Sequence, residues 1–231
     1  MKILFDNYNY DSQCQSLWGF SAYLEKYQLL FDTGSNGRVL LKNMKHLGVD
    51  IKAIKYLFIT HSHWDHIGGL DSILELNDEL TLIIPASLSD VFIEDLKTLV
   101  KHIIICDESP MKITEHIYTT GLLGEEMPEQ SLIINDEQTK LVTGCGHYGI
   151  EEIVKVAQKV IGKDIDTAIG GFHLMESEES DVEAAVSALQ ALGVKTVLPT
   201  HCTGDYGIEL FKTRYKENYL QGGAGRVVTI D

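Results

Sequence analysis

Short apolar runs alternate with amphipathic ones along most of the chain, and that alternation predicts an α/β protein. Residues 2–5, 21–27 and 29–31 read as strands, the third ending in the turn Asp32-Thr33-Gly34-Ser35. A helix is predicted over 39–47, with Gly48 as its stop. The nearly unbroken apolar run 56–60 predicts a strand buried on both faces. After Gly68-Gly69 come a short helix at 70–76, a strand at 80–84 stopped by Pro85, a helix at 89–100 with Val91, Leu96 and Leu99 at helical spacing, and a strand at 103–105. The middle of the chain is purely β, with runs at 112–114, 117–120, 130–134 and 140–142 and a hairpin turn at 135–138. Helix and strand then alternate again: helices at 150–161, 181–192 and 207–214, strands at 165–169, 194–198 and 226–230. Two β-rich halves, each carrying helices, predict a four-layer αββα arrangement, with two facing mixed sheets and outer helices in one domain spanning 1–231.

Composition narrows this. With 231 residues, 44% hydrophobic and 23% charged, the chain can bury a core without help from disulfides. A net charge of −15 repels phosphate backbones and argues against a nucleic-acid partner. Glu125-Glu126 and the acidic stretch 176–181 read as solvated loops. No run is long enough to cross a bilayer, and the opening residues do not read as a signal peptide. Cys14, Cys106, Cys145 and Cys202 are far apart and form no CxxC pair. They read as free thiols, which together with the opening residues predicts a cytoplasmic protein acting on a small molecule. Oligomeric state is not legible.

The chemistry concentrates in His61-Ser62-His63-Trp64-Asp65-His66, directly after the apolar strand. In extended backbone, residues two apart point the same way, so His61 and His63 can grip one ion. Asp65 and His66 need a turn to converge on a second, which Gly68-Gly69 can accommodate. This segment alone supplies too few ligands, since a catalytic site of the zinc type commonly takes three per ion. Three more histidines follow predicted strands on short loops: His147 after Thr143-Gly144-Cys145-Gly146, His173 after Gly170-Gly171-Phe172, and His201 after Pro199-Thr200. Cys145 and Cys202 read as small buried residues, Trp18 and Phe20 as core anchors, and His46, His102 and His116 as surface. Tyr148 and Tyr206 flank the loops.

His-x-His-x-Asp-His after a buried strand, followed by Thr-Gly-Cys-Gly-His147 and a late His201, resembles the metallo-β-lactamase-fold superfamily over almost the whole chain. The resemblance implies that His61, His63 and His147 hold one ion, and Asp65, His66 and His201 the other. It also implies that Asp32 supports the metal loop without touching an ion. The chain departs from the family at one point: where most dinuclear members carry a bridging Asp, this sequence reads Ile169-Gly170-Gly171-Phe172-His173, so His173 would be a further ligand or would act on substrate. Thr-Gly-Cys-Gly-His-x-Gly-Ile, Ile-Gly-Gly-Phe-His-Leu and Pro-Thr-His-Cys-Thr-Gly are similar to the archaeal and bacterial group that includes a dihydropterin synthase of the methanopterin pathway.

The expected cofactor is therefore two divalent ions, zinc first, with manganese and iron as alternatives. The leading expectation is a hydrolase that uses a metal-bound hydroxide on an ester, thioester, lactone or phosphodiester. In that reading Asp65 orients the water and His173 protonates the leaving group. The first alternative is a transferase in which the metals stabilise a departing diphosphate. The second is a metal-binding or di-iron redox protein without such catalysis.

Overall fold

The computed structural model of the protein describes residues 1–229. The chain divides into two compact units, Met1–Asp107 together with residues 222–229, and Glu108–Gln221.

In the first unit six strands form one sheet in chain order: β1 (Lys2–Phe5), β2 (Ser21–Leu24), β3 (Leu29–Phe31), β4 (Tyr56–Phe58), β5 (Thr81–Pro85) and β6 (His102–Cys106). The first three are antiparallel, whereas β3 to β6 run parallel. Parallel neighbours need crossovers, which α1 (Gly37–His46), α2 (Trp64–Ile67), α3 (Leu70–Leu74) and α4 (Asp90–Leu99) supply. The Asn36 side chain accepts the Val39 N–H at 3.1 Å and starts α1. Gly48, at φ +66°, turns the chain away after it. Val39, Leu40 and Met44 from α1, Leu70, Ile73 and Leu74 from α3, and Ile93 and Leu96 from α4 join strand residues Leu30, Leu57, Leu82 and Ile84 in one apolar cluster. The alternate strand residues Leu29, Phe31, Phe58 and Ile83 are buried as well, with Phe31 stacked on Phe58 at 5.7 Å between centroids.

Three details differ from the sequence expectation. In α4 the buried face is Ile93 and Leu96, while Val91 and Leu99 are 74% and 47% exposed, so only a narrow stripe packs. Pro85 does not stop β5 but is its last residue, in register with Cys106, because a strand end tolerates a missing donor. The described part of 226–230 forms no strand: Val227 makes one bridge to Lys2, and Val228 donates to the Met1 carbonyl at 2.8 Å. Ile230 lies outside the described residues.

The second unit repeats this layout. Strands β7 (Met111–Lys112), β8 (Ile117–Thr119), β9 (Leu132–Asn135) and β10 (Thr139–Thr143) are antiparallel, and β11 (Thr167–Gly171) and β12 (Thr196–Thr200) continue in parallel from β10. The β9–β10 hairpin turns where the polar run 135–138 predicts it. Helices α5 (Ile150–Ile161), α6 (Glu179–Ala191) and α7 (Gly204–Tyr215) follow β10, β11 and β12. Ile153, Val154, Ala157, Val186, Leu189 and Phe211 from these helices pack with Ile133, Leu141, Ala168 and Val197. In each sheet the carboxyl ends of the parallel strands share one edge, the usual location of sites in open α/β sheets.

Candidate metal centre

The cluster 61–66 leaves the carboxyl end of β4. His63 is extended, and its ring meets that of His61: His61 Nε2 lies 3.0 Å from His63 Nδ1. Two nitrogens bound to one zinc at about 2.0 Å each would stand about 3.3 Å apart, so the pair is already close to chelating separation. Asp65 and His66 converge because α2 begins at Trp64 and curls them into one helical turn. His66 Nε2 lies 3.7 Å from Asp65 Oδ2. Gly68 and Gly69 act by close approach. A Cβ on either would come 2.5 Å from the Ser35 or the Thr33 carbonyl oxygen.

Asp32, fully buried after β3, organises this half of the site. Its Oδ1 accepts the Thr60 N–H at 2.8 Å. Its Oδ2 accepts the Thr60 hydroxyl at 2.8 Å and His66 Nδ1 at 2.7 Å. Thr60 Oγ1 in turn lies 2.8 Å from His61 Nδ1. The network assigns the Nδ1 proton to both His61 and His66 and leaves each Nε2 lone pair for a cation, a familiar way of aiming metal ligands. Thr33 closes the loop on α2: its N–H and its hydroxyl each donate to the His66 carbonyl at 2.8 Å. Asp32 thus bonds both the residue before the cluster and His66, and Thr60 is a residue that the sequence reading missed.

The second unit has its own buried carboxylate. Glu129 Oε1 accepts the N–H groups of Gly144, Cys145 and Gly146 at 3.1, 2.8 and 3.1 Å. Its Oε2 accepts those of Gly146 and His147 at 3.0 and 3.1 Å, and His147 Nδ1 at 2.6 Å. The loop after β10 is wrapped around one carboxylate, and His147 is left with Nε2 outward. Nothing in the sequence singles out Glu129 from its exposed neighbours Glu125 and Glu126. Only the fold shows it buried, at 2% exposure.

His173 and His201 follow β11 and β12. Both have φ +51°, and Asp32 has φ +47°, so three of the candidate residues occupy a backbone region that non-glycine residues rarely enter. Such conformations persist where surrounding contacts enforce them, and they cluster at functional sites. Here the enforcing contacts are visible. Thr143 Oγ1 donates to the Gly171 carbonyl at 2.7 Å, Thr203 Oγ1 accepts the Phe172 N–H at 3.1 Å, and Met175 N–H donates to the Cys202 carbonyl at 3.1 Å. Cys145, His173 and Cys202 place a ligand atom each within 4.8 Å of one another. His201 Nε2 lies 3.5 Å from Cys145 Sγ, and the His147 and His173 rings are 4.5 Å apart. A hydrogen bond to Cys202 lifts the exposed His173 imidazole above its ordinary 6.5, against partial desolvation. Burial would raise Cys202, but its bonds to Cys145 and His173 and the charge of His201 bring it well below 9.0. Both thiols are buried, as expected, yet they touch candidate ligands rather than merely filling space. Trp18 is 40% exposed, and only Phe20 serves as a core anchor.

The six expected ligands thus follow the carboxyl ends of strands, three of them with Nδ1 held by a carboxylate or the Thr60 hydroxyl. The donor set, imidazole with carboxylate, suits a divalent transition metal. A family model described as the metallo-beta-lactamase superfamily matches residues 21–129. The structure is similar to that of a metal-dependent hydrolase of the beta-lactamase superfamily, with TM-score 0.83 and 25% identity over 99% of this chain and 98% of that one. It is also similar in fold to the short form of human tRNase Z, with TM-score 0.67 and 17% identity over 100% and 98% of the two chains. The chain thus resembles the metallo-β-lactamase superfamily and has its α/β fold. Among curated relatives, 7,8-dihydropterin-6-methyl-4-(beta-D-ribofuranosyl)-aminobenzene-5'-phosphate synthase of Methanocaldococcus jannaschii is 26% identical, covering 96% of this chain and 93% of the relative. Of these similar proteins, one is named a synthase and one a metal-dependent hydrolase. No described helix is long and apolar enough to cross a membrane.

Proposed function

We propose that the protein is a metal-dependent hydrolase of a small ester, thioester, lactone or phosphodiester. His61, His63, Asp65, His66, His147 and His201 supply the ligands of two divalent ions, zinc first. The observation that carries this reading is the pair of buried carboxylates, Asp32 and Glu129. Each fixes the orientation and tautomer of a histidine. Divalent ions held there supply Lewis acidity toward a carbonyl or phosphoryl oxygen. The chain's own residues do the rest. Asp65, half of its pair with His66, orients the attacking group. His173 sits on an exposed loop, and its hydrogen bond to Cys202 raises its imidazole above the ordinary value, which suits a group that delivers a proton to a leaving group. The net charge of −15 favours a small substrate over a nucleic acid, and a cytoplasmic location fits the free thiols.

A second reading is favoured by one observation, the synthase relative that matches nearly end to end. In it ions held by the same histidines and Asp65 would supply positive charge toward a departing diphosphate, while an arylamine nitrogen attacks in place of water. Missing a carboxylate where β11 ends is compatible with a site that does not have to position a water.

One experiment separates the readings. The protein is purified without added metal, analysed for metal, and assayed on bis(p-nitrophenyl) phosphate and a thioester, and then on a dihydropterin methyl diphosphate with an arylamine. Ester or thioester cleavage that is lost in His61→Ala supports hydrolysis. Diphosphate release that depends on the arylamine, with no ester cleavage, supports the transferase. A chain that binds no divalent metal overturns both.

A further inference from the structure

Asp11, Cys14 and His46 are separate from the residues assigned to the histidine cluster, and their ligand atoms fall within 4.8 Å of one another. Two of them come from one tight turn. The Cys14 N–H donates to the Asp11 carbonyl at 2.9 Å, and the Gln13 N–H donates to Asp11 Oδ1 at 2.9 Å. The third is the last residue of α1, and its Nε2 is 2.8 Å from Asp11 Oδ2. The loop is pinned from beneath, because the N–H groups of Tyr10 and Asp11 both donate to the Ala224 carbonyl at 3.0 Å. Next to Ala224, Gly225 has φ +92°, and a Cβ there would come 2.3 Å from the Asp11 Cβ and 3.1 Å from Cys14 Sγ. The backbone thus approaches the Asp–Cys pair more closely than any side chain would permit.

We propose that Asp11, Cys14 and His46 form a further divalent-cation site, independent of the histidine cluster, that takes one zinc-like ion. An oxygen, a sulfur and a nitrogen ligand suit a borderline-soft ion in tetrahedral geometry, with water as the fourth ligand. A plain His46–Asp11 ion pair at half-exposed positions contributes little to stability. It leaves unexplained why a buried thiol is set against the same carboxylate. Without a cation, burial and then the Asp11 charge push the Cys14 thiol up, against a smaller pull from Lys42. A bound cation reverses that balance: the sulfur–metal bond forms as the thiol proton passes to solvent. The ion would join the end of α1 to the 9–14 loop and, through Ala224 and Gly225, to the C-terminal segment.

The test uses the full chain titrated with zinc, and with cobalt as a spectroscopic probe. His46 is exposed, so His46→Gln removes a ligand without opening the core. Wild type should show thiolate-to-cobalt charge-transfer absorption from this site and one zinc equivalent that His61→Ala retains. His46→Gln should weaken that equivalent about a hundredfold or more, since even outer partners of ligands cost ten- to a hundredfold. Cys14→Ser, checked for folding by circular dichroism, should lose both the band and the equivalent. Unchanged zinc stoichiometry and unchanged cobalt absorption in His46→Gln and Cys14→Ser would overturn the proposal. Because His61→Ala acts only on the histidine cluster, failure there is read separately.

Discussion

Glu129→Gln is the sharpest perturbation the structure offers, because the change is nearly isosteric and removes only charge and one acceptor. The carboxylate accepts from four backbone N–H groups and from His147 Nδ1. As an amide it keeps an acceptor on one side and turns a donor toward the other. If the amide oxygen takes the Oε1 position, the NH2 group faces the Gly146 and His147 N–H groups and His147 Nδ1. A buried donor left without an acceptor costs about 1–3 kcal/mol, and bonds to charged groups are the stronger ones. Gly146 keeps a second partner, so two donors are fully orphaned, and relaxation of the loop recovers part of the cost. The expected loss is about 2–4 kcal/mol. For a chain of this length 1 kcal/mol corresponds to about 2–4 °C in Tm, so the melting temperature should fall by roughly 4–16 °C. Freed from Glu129, His147 also loses its fixed tautomer, and metal affinity should fall about ten- to a hundredfold. Urea and thermal unfolding monitored by circular dichroism give the first number, and competition with a chromophoric chelator gives the second. A variant with wild-type urea midpoint and wild-type metal affinity would refute the role assigned to Glu129.

Other consequences follow from single contacts. Gly170→Ala places a Cβ 2.1 Å from the Thr143 carbonyl oxygen at φ +116°, so it should cost more than about 3 kcal/mol or abolish soluble expression, whereas Gly162→Ala, with open space around it, should fold. Burial alone would raise the Asp166 carboxyl, but bonds from Lys195 and Thr139 outweigh it and hold it below 3.8. Its folded value is lowered, so its contribution is present above pH 3.8 and is lost as pH falls through the lower folded value. Asp166→Asn should therefore show a smaller stability drop between pH 5 and 3 than wild type, read by urea unfolding with both pH values compared. Burial pushes the Cys106 thiol up to about 12, so Cys106 should resist iodoacetamide at about pH 8 in the folded chain and react in denaturant, as peptide mapping would show.

Much of this protein is legible along the chain. The apolar run 56–60, the helix 150–161 with its closing Gly162, and the hairpin at 135–138 all rest on local periodicity and turn chemistry, and they appear in the structure where those patterns put them. The cluster His61 to His66 is equally local, since its spacing is short and its residue types are rare together. What the tertiary structure alone decided depends on residues far apart in sequence. Asp32 reaches Thr60 and His66 across 28 and 34 positions, and Glu129 reaches the 144–147 loop across 15 to 18. A buried carboxylate is recognised by what surrounds it, and no pattern of neighbours along the chain distinguishes Glu129 from Glu126. The left-handed backbone at Asp32, His173 and His201 belongs to the same class. Local preference disfavours it at aspartate and histidine, and only hydrogen bonds from other loops hold it there.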